Sequence, residues 1–321
     1  MNKVRWGIVS AGTIANTFAA DMVFASNAEL VAVSARSLAD AERFARKYGI
    51  RQSFEGYSGL FADDGVDAIY VGTPHTLHLP HSSAALEAGK SVLCEKPLTT
   101  SAAECRGLLR VAAQTGGYLM EAMWTWFLPA IRQAKAWFDA GRIGELRHIR
   151  AEFGYPMAYD PDSRLFDPAL AGGCLLDLGV YPVAIARLFT GVAPTDVHAT
   201  SRYAANGVED DVVMTFRYDD CVAALACSFR CKLPNTAYII GTEGYIEIPH
   251  FWSARECRVV VMHDVVDEFH DERRGSGFEF QIEAVSDDLL NGRKESAVVT
   301  HAASLGFQED MDRVRAAFIA D

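Results

Sequence analysis

Short apolar runs without alternation recur through the first third of the chain, each followed by a stretch of helical spacing, and few folds accommodate that order. The runs 4–10, 29–35, 68–71, 91–95 and 118–121 read as strands buried on both faces. Between them, residues 13–24 have helical composition, and Ser37 with Asp40 starts a second helix that ends before Gly49. A third helix over 79–88 stops at Gly89, and Ser101 with Glu104 caps a fourth that runs to Gln114 or Thr115. Parallel strands need crossovers, so this repetition predicts an α/β domain with a doubly wound parallel sheet covered on both faces.

After Met123 the order changes. A helix over 128–140 stops at Gly141, a strand follows over 145–153, and a proline-containing loop (155–168) leads to a helical segment ending near Thr190. Strands then dominate: 197–203, 211–217, 222–230, 237–240, 245–248 and 258–262, with Asp219-Asp220 as a tight hairpin turn. Helices return over 278–290 and 308–318. The expected division is a dinucleotide-binding domain over 1–122 and an α+β domain over 123–321, built on a large, mostly antiparallel sheet.

Thirty Lys+Arg against 42 Asp+Glu give a formal charge of −12. Long nucleic acids and anionic membranes bind through clustered positive charge, so neither is expected as a partner. One small anionic ligand needs only a local pocket and remains compatible. The seven cysteines are odd in number and none has C-x-x-C spacing, so buried thiols in a reducing cytoplasm are expected, with no metal at Cys227 and Cys231. The N-terminal apolar run resembles a secretion signal until Asn16 and Asp21 interrupt it. No stretch is expected to approach the length of a membrane helix.

The loop after the first strand is Ser10-Ala11-Gly12-Thr13-Ile14-Ala15. It keeps the second glycine of the dinucleotide fingerprint and a small last residue, with Ser10 in place of the first glycine. Gly12 lets backbone approach a pyrophosphate, and the helix N-terminus beginning at Thr13 and Ile14 offers N–H groups to it. After the second strand come Ser34-Ala35-Arg36-Ser37, with no acidic residue until Asp40. An acid there would hold the ribose diol of NAD, whereas Arg36 suits a 2′-phosphate, so NADP is the expected cofactor and NAD the less favoured one.

Further segments identify a family. Glu95-Lys96-Pro97 follows a strand, and Gly172-Gly173-Cys174-Leu175-Leu176-Asp177-Leu178-Gly179-Val180-Tyr181-Pro182 lies in the second domain. With Thr73-Pro74-His75 and Gly241-Thr242-Glu243-Gly244, these segments resemble the glucose–fructose oxidoreductase/inositol dehydrogenase (Gfo/Idh/MocA) family over essentially the whole chain. Tyr181, where many relatives have His, and Glu121-Ala122-Met123-Trp124-Thr125 resemble its dimeric dihydrodiol dehydrogenase and NADP-linked xylose dehydrogenase branch. Trp126 departs from the Arg expected after Trp-Thr, which leaves the substrate preference open.

The resemblance implies that Lys96, Asp177 and Tyr181 form the catalytic group. Hydride transfer from a carbinol carbon leaves a proton on oxygen that a side chain must take. A nearby ammonium such as Lys96 favours a phenolate, and Asp177 can orient the lysine or a substrate hydroxyl. Tyr181 and Lys96 both remain candidates for the base. On a single helix the four-residue spacing puts Asp177 and Tyr181 on one face, although Pro182 either kinks that helix or marks its start.

His75, His78 and His81 are spaced three apart, but Pro80 interrupts them and they follow a parallel strand, where cofactor loops lie. Thr73, Pro74, His75, His78, Glu95 and Lys96 are therefore assigned to the cofactor, and no metal is expected; His81 reads as surface. Among the aromatics Trp124, Trp126, Phe127, Phe153 and Tyr155, packing is the default role. Trp124, Trp126 and Tyr155 are the candidates to stack on a sugar or diol ring, and Arg164 is a possible clamp in the long loop.

The expected activity is NADP-dependent hydride transfer to or from a secondary or hemiacetal hydroxyl of a sugar or vicinal diol. The alternative is a nucleotide-binding regulator or sensor of the same fold without turnover. A second-domain sheet with helices on one face leaves the other to solvent or a partner, and the resemblance implies a homodimer through that sheet.

Overall fold

A computed structural model describes residues 3–318. They form two compact units, residues 3–124 with Arg274–Ser304, and Thr125–Arg273 with residues 305–318.

The first unit runs β1 (Val4–Val9), α1 (Thr13–Asp21), β2 (Ala28–Ala35), α2 (Leu38–Tyr48), β3 (Gln52–Glu55), α3 (Ser58–Phe61), β4 (Ala68–Val71), α4 (His78–Glu87), β5 (Ser91–Glu95), α5 (Ala102–Thr115) and β6 (Leu119–Ala122). All six strands are parallel, in the order β3-β2-β1-β4-β5-β6. The order reverses between β1 and β4, so the loops at the carboxyl ends of these strands border the crevice where such sheets bind ligands. Trp6, Ile8, Ile69, Tyr70 and Leu93 are buried in the sheet core. Ser37 caps α2 by accepting from Asp40 N–H, and Ser101 caps α5 by accepting from Glu104 N–H. The short β3 and α3 escape the sequence pattern, because β3 is an edge strand with no fully buried residue.

The second unit begins with α6 (Pro129–Asp139), β7 (Leu146–Gly154), a π-helical turn (Leu175–Gly179) and α7 (Val180–Thr190). The strands β8 (Asp196–Tyr203), β9 (Glu209–Arg217), β10 (Val222–Ser228), β11 (Ala237–Gly241), β12 (Tyr245–Ile248), β13 (Glu256–Val261) and β14 (Asp264–His270) complete it. They form an eight-stranded sheet ordered β14-β13-β12-β11-β7-β10-β9-β8. Every pair is antiparallel except β7 with β10. Helices α6 and α7 pack on one face of the sheet. Exposed residues alternate with buried ones along β9, and Val213, Thr215 and Arg217 point away from the core. The β9–β10 turn forms as expected, with Tyr218 N–H donating to Cys221 O at 2.9 Å around Asp219-Asp220. The Gly241-Thr242-Glu243-Gly244 segment is structural. Thr242 and Glu243 donate to Glu145 O and Ile143 O, and a Cβ on Gly241 would stand 2.0 Å from Ile143 O.

Two expectations are corrected here. Helix α8 (Phe278–Leu290) and the start of α9 (His301–Ala316), assigned by sequence to the second domain, belong to the first unit. The Asp21 carboxylate at the end of α1 accepts the N–H groups of Ser276, Gly277 and Phe278 at 2.9–3.0 Å. This satisfies donors at the N-terminus of α8 with a negative charge. Trp6 Nε1 donates to Ser286 Oγ, and Tyr118 Oη donates to Asp288 Oδ2 at 2.8 Å. Secondly, the segment Pro168–Thr190 is apolar and long enough by composition to cross a membrane, with 78% of its most apolar window buried within the protein. Its hydropathy is that of a core helix packed against a sheet.

Candidate active site

In the first unit the site is built from loops at strand ends. Ser10 takes the place of the fingerprint's first glycine and adopts φ of 112°, a left-handed conformation that glycine would enter without strain. Its Oγ accepts the Gly12 N–H at 3.1 Å. Gly12 caps α1 without a side-chain hydrogen bond, and no acidic residue lies in the first turn, so the N–H groups at Thr13 and Ile14 remain suited to an anion. Arg36 is exposed at the end of β2 and makes no hydrogen bond or ion pair among the described residues. Ser37 beside it is engaged as the α2 cap.

After β4, Thr73 and His75 are buried and Pro74 is half-buried. His78 is fully buried with Nε2 2.8 Å from Thr73 O and Nδ1 2.8 Å from Pro97 O. Burial holds its pKa down to about 4, against the pull of the two carbonyls. The neutral ring has one N–H and donates to one of the two carbonyls at a time, so both nitrogens face backbone of two loops, while the sequence assigned His78 to the cofactor. His81, which reads as surface in the sequence, lies 3.3 Å from Thr73 Oγ1 and edge-on to Tyr57. Burial raises the Tyr57 phenol while the Arg36 charge lowers it, so Tyr57 belongs to the Arg36 corner. Among the described residues no group of three His, Cys, Asp or Glu side chains is arranged to hold a metal ion.

After β5, Glu95 is buried and accepts from Tyr70 Oη at 2.5 Å and from Lys96 N–H at 3.2 Å. The Lys96–Pro97 peptide is cis, and the Lys96 side chain is half-buried. Trp124, at the end of this unit, is buried against Phe278 with ring centroids 4.9 Å apart.

In the second unit Asp177 lies in the π-helical turn and Tyr181 in the first turn of α7. The expected single helix is thus a π turn that changes to α just before Pro182, which has no N–H to contribute. Gly173, which precedes the turn, adopts φ of 132°, and a Cβ there would strike the Glu209 carboxylate. Asp177 and Tyr181 are both buried. The exposed Arg164 guanidinium stands 3.4 Å from Asp177 Oδ1, a loose ion pair. Tyr181 packs edge-on to Phe153 at 5.3 Å, and Phe153 stacks on Trp252 at 5.0 Å and meets Tyr155 edge-on. Thr125 Oγ1 donates to Trp252 O at 2.8 Å. Trp126 lies elsewhere, buried edge-on to Phe307 of α9.

These features fit a dinucleotide at the first unit: a helix N-terminus without a side-chain cap beyond a tight turn, and a guanidinium after β2 without a hydrogen bond or ion pair among the described residues. Residues 4–123 match the oxidoreductase family model described as an NAD-binding Rossmann fold, and residues 131–247 match the GFO/IDH/MocA C-terminal domain. The chain belongs to the Gfo/Idh/MocA family.

Relatives within reach of this Gfo/Idh/MocA chain include trans-1,2-dihydrobenzene-1,2-diol dehydrogenases. The Mus musculus protein is 38% identical over 98% of this chain and 96% of its own length. The Homo sapiens protein is 35% identical over the same shares. A 3-ketoreductase from Actinomadura kijaniata, solved with NADP and TDP-benzene, superposes with a TM-score of 0.89 at 29% identity, covering 99% of this chain and 98% of that one. An aldose-aldose oxidoreductase from Caulobacter crescentus shares the fold with a TM-score of 0.91 at 24% identity, over 98% and 97% of the two chains. This Gfo/Idh/MocA protein is accordingly a dehydrogenase acting on CH–OH groups with a nicotinamide cofactor. Sequence reasoning missed Trp252 and Phe278, which are remote in sequence from the aromatics they touch, and Tyr57 and His81, whose polar surroundings carry no periodic signal.

Proposed function

We propose that the protein is an NADP-dependent dehydrogenase for a secondary or hemiacetal hydroxyl of a sugar or vicinal diol. Arg36 carries the cofactor reading: it is exposed and unpaired at the end of β2, where the β2–α2 loop offers no acidic side chain ahead of Asp40. A charge-assisted bond to a 2′-phosphate contributes about 1.5–3 kcal/mol. Ser10, Gly12, Thr13 and Ile14 hold the pyrophosphate by backbone groups, and Ser37, Thr73, Pro74, His75 and Glu95 shape the surrounding loops. When bound, the nicotinamide accepts or returns the hydride. The hydroxyl proton goes to Tyr181 or Lys96, the two candidate groups able to take it. Asp177 orients its neighbours, and Trp124, Tyr155 and the exposed Arg164 are the substrate-binding candidates, with Trp126 further back in the core.

The dehydrogenase relatives and the NADP-bound ketoreductase support this reading. Purified protein supplied with NADP should reduce it with members of a panel of pentoses, hexoses and cyclic vicinal diols. Lys96→Met and Tyr181→Phe should each lower kcat/KM by about 10²–10⁴-fold, the usual worth of a positioned proton-transfer group. Full activity in both variants would remove the catalytic assignment.

The free face of the eight-stranded sheet supports a homodimer. Val213 and Val222 are exposed on it, and Tyr238 lies between Arg150 and Tyr245. Light scattering should give twice the chain mass; a monomer at micromolar concentration would contradict the pairing. All seven cysteines are free thiols and six are buried, consistent with a reducing, cytoplasmic setting.

A further inference from the structure

Three consecutive residues of the Lys96 loop are each held by a buried ionisable side chain. Lys96 N–H donates to Glu95 Oε2 at 3.2 Å, the Pro97 carbonyl faces His78 Nδ1 at 2.8 Å, and Leu98 N–H donates to Glu121 Oε1 at 2.9 Å. Glu121 sits on β6 opposite Cys94 of β5 and is 1% exposed. Its Oε2 lacks a hydrogen-bond partner among the described residues, although the Ser304 hydroxyl of α9 faces the carboxyl. Burying an ionisable group with one oxygen unsatisfied is costly. A glutamine would accept the same Leu98 N–H without that cost, so the hydrogen bond alone gives no reason for a carboxyl here.

We propose that Glu121 is a positioning residue for Lys96: it holds the Lys96-Pro97-Leu98 loop through the Leu98 N–H, and its charge sets how firmly Lys96 keeps its proton. The proposal rests on the assignment of Lys96 as a proton-transfer group. The titratable and charged groups facing Glu121 are Cys94 and Glu95 from β5 and Lys96 just after it, and the neutral Ser304 hydroxyl of α9 faces it as well. Burial pushes the Glu121 carboxyl up to about 7; Ser304, the Leu98 N–H and Lys96 oppose that rise, and Glu95 adds to it. A carboxyl raised that far changes its charge around neutral pH, and its ionised form adds a negative charge that favours the Lys96 ammonium.

The test uses the full chain without cofactor or substrate. Lysines are reductively methylated with ¹³C, and the Lys96 signal is identified by its loss in Lys96→Met. In the unsubstituted protein that signal should show a step near neutral pH, separate from its own titration. Glu121→Gln should abolish the step and lower the Lys96 midpoint by about one pH unit, a tenfold change in proton affinity. Ser304→Ala should move the step upward, since the hydroxyl favours the ionised carboxyl, and it carries the test if Glu121→Gln does not fold. No step in the unsubstituted protein, or an unchanged step in Glu121→Gln, overturns the proposal. In turnover, Glu121→Gln should flatten the pH profile of kcat near neutrality with the substrate KM unchanged; a merely structural role would lower the melting temperature and leave the profile in place. Failure to oxidise any sugar or diol would count against the proposed function and leave the NMR result standing.

Discussion

The two units hold their candidate residues by different means. In the first, Lys96 and the Thr73-Pro74-His75 segment ride on loops whose backbone is gripped from beneath by Glu95, His78 and Glu121. In the second, Tyr181 is set by ring contacts, with Phe153 at the centre of Tyr181, Tyr155 and Trp252. Hydrogen bonds to buried acceptors are directional and fail abruptly when one partner goes. Aromatic packing has broad minima and fails in proportion to the volume lost. Loop atoms in the first unit are thus fixed by polar geometry, whereas the aromatic wall of the second can be resized without redirecting the backbone.

Substitutions at two positions bear on this contrast. The larger effect is expected at Phe153→Ala, which removes the ring shared by the second unit's cluster and should cost about 3–5 kcal/mol, read as a lowered denaturation midpoint. Phe153→Leu should recover most of that loss. If Phe153→Ala leaves the midpoint unchanged, packing does not hold Tyr181 and the contrast breaks. The smaller effect is at Arg36→Ala. This exposed side chain belongs to no clasp, so stability should stay within about 0.5 kcal/mol while NADP affinity falls roughly ten- to a hundredfold and NAD affinity is unchanged. Equal affinity for the two nucleotides in both proteins, measured by fluorescence titration, would show that Arg36 does not read the 2′-phosphate.

Much of the fold is legible in the sequence where burial is complete. Ala68–Val71, Ser91–Glu95, Tyr245–Ile248 and Phe278–Leu290 form with the bounds that their apolar patterns imply. Gln52–Glu55 and Asp264–His270 are not legible, because these edge strands bury no residue fully and lack a two-residue alternation of buried positions. The return of α8 to the first unit is also hidden. It depends on Asp21 meeting three N–H groups more than two hundred residues away, and no local pattern records such a contact. At the site, the loop motifs and Lys96, Asp177 and Tyr181 stand out as motif residues. The supports beneath them are legible only in part: His78 reads as a cofactor residue and Glu121 as part of a junction motif, and the backbone atoms that each one faces appear only in the fold.

Ser10 has a consequence of a different kind. Its hydroxyl already occupies the Gly12 N–H, so that donor has a resident ligand before any phosphate arrives. On the proposed function, nucleotide entry at this point would be an exchange: an anionic oxygen would displace a neutral hydroxyl, and the affinity would contain only the difference between the two bonds, about 1 kcal/mol. Ser10 would then weaken the grip on the phosphate while keeping the Gly12 donor satisfied in its absence.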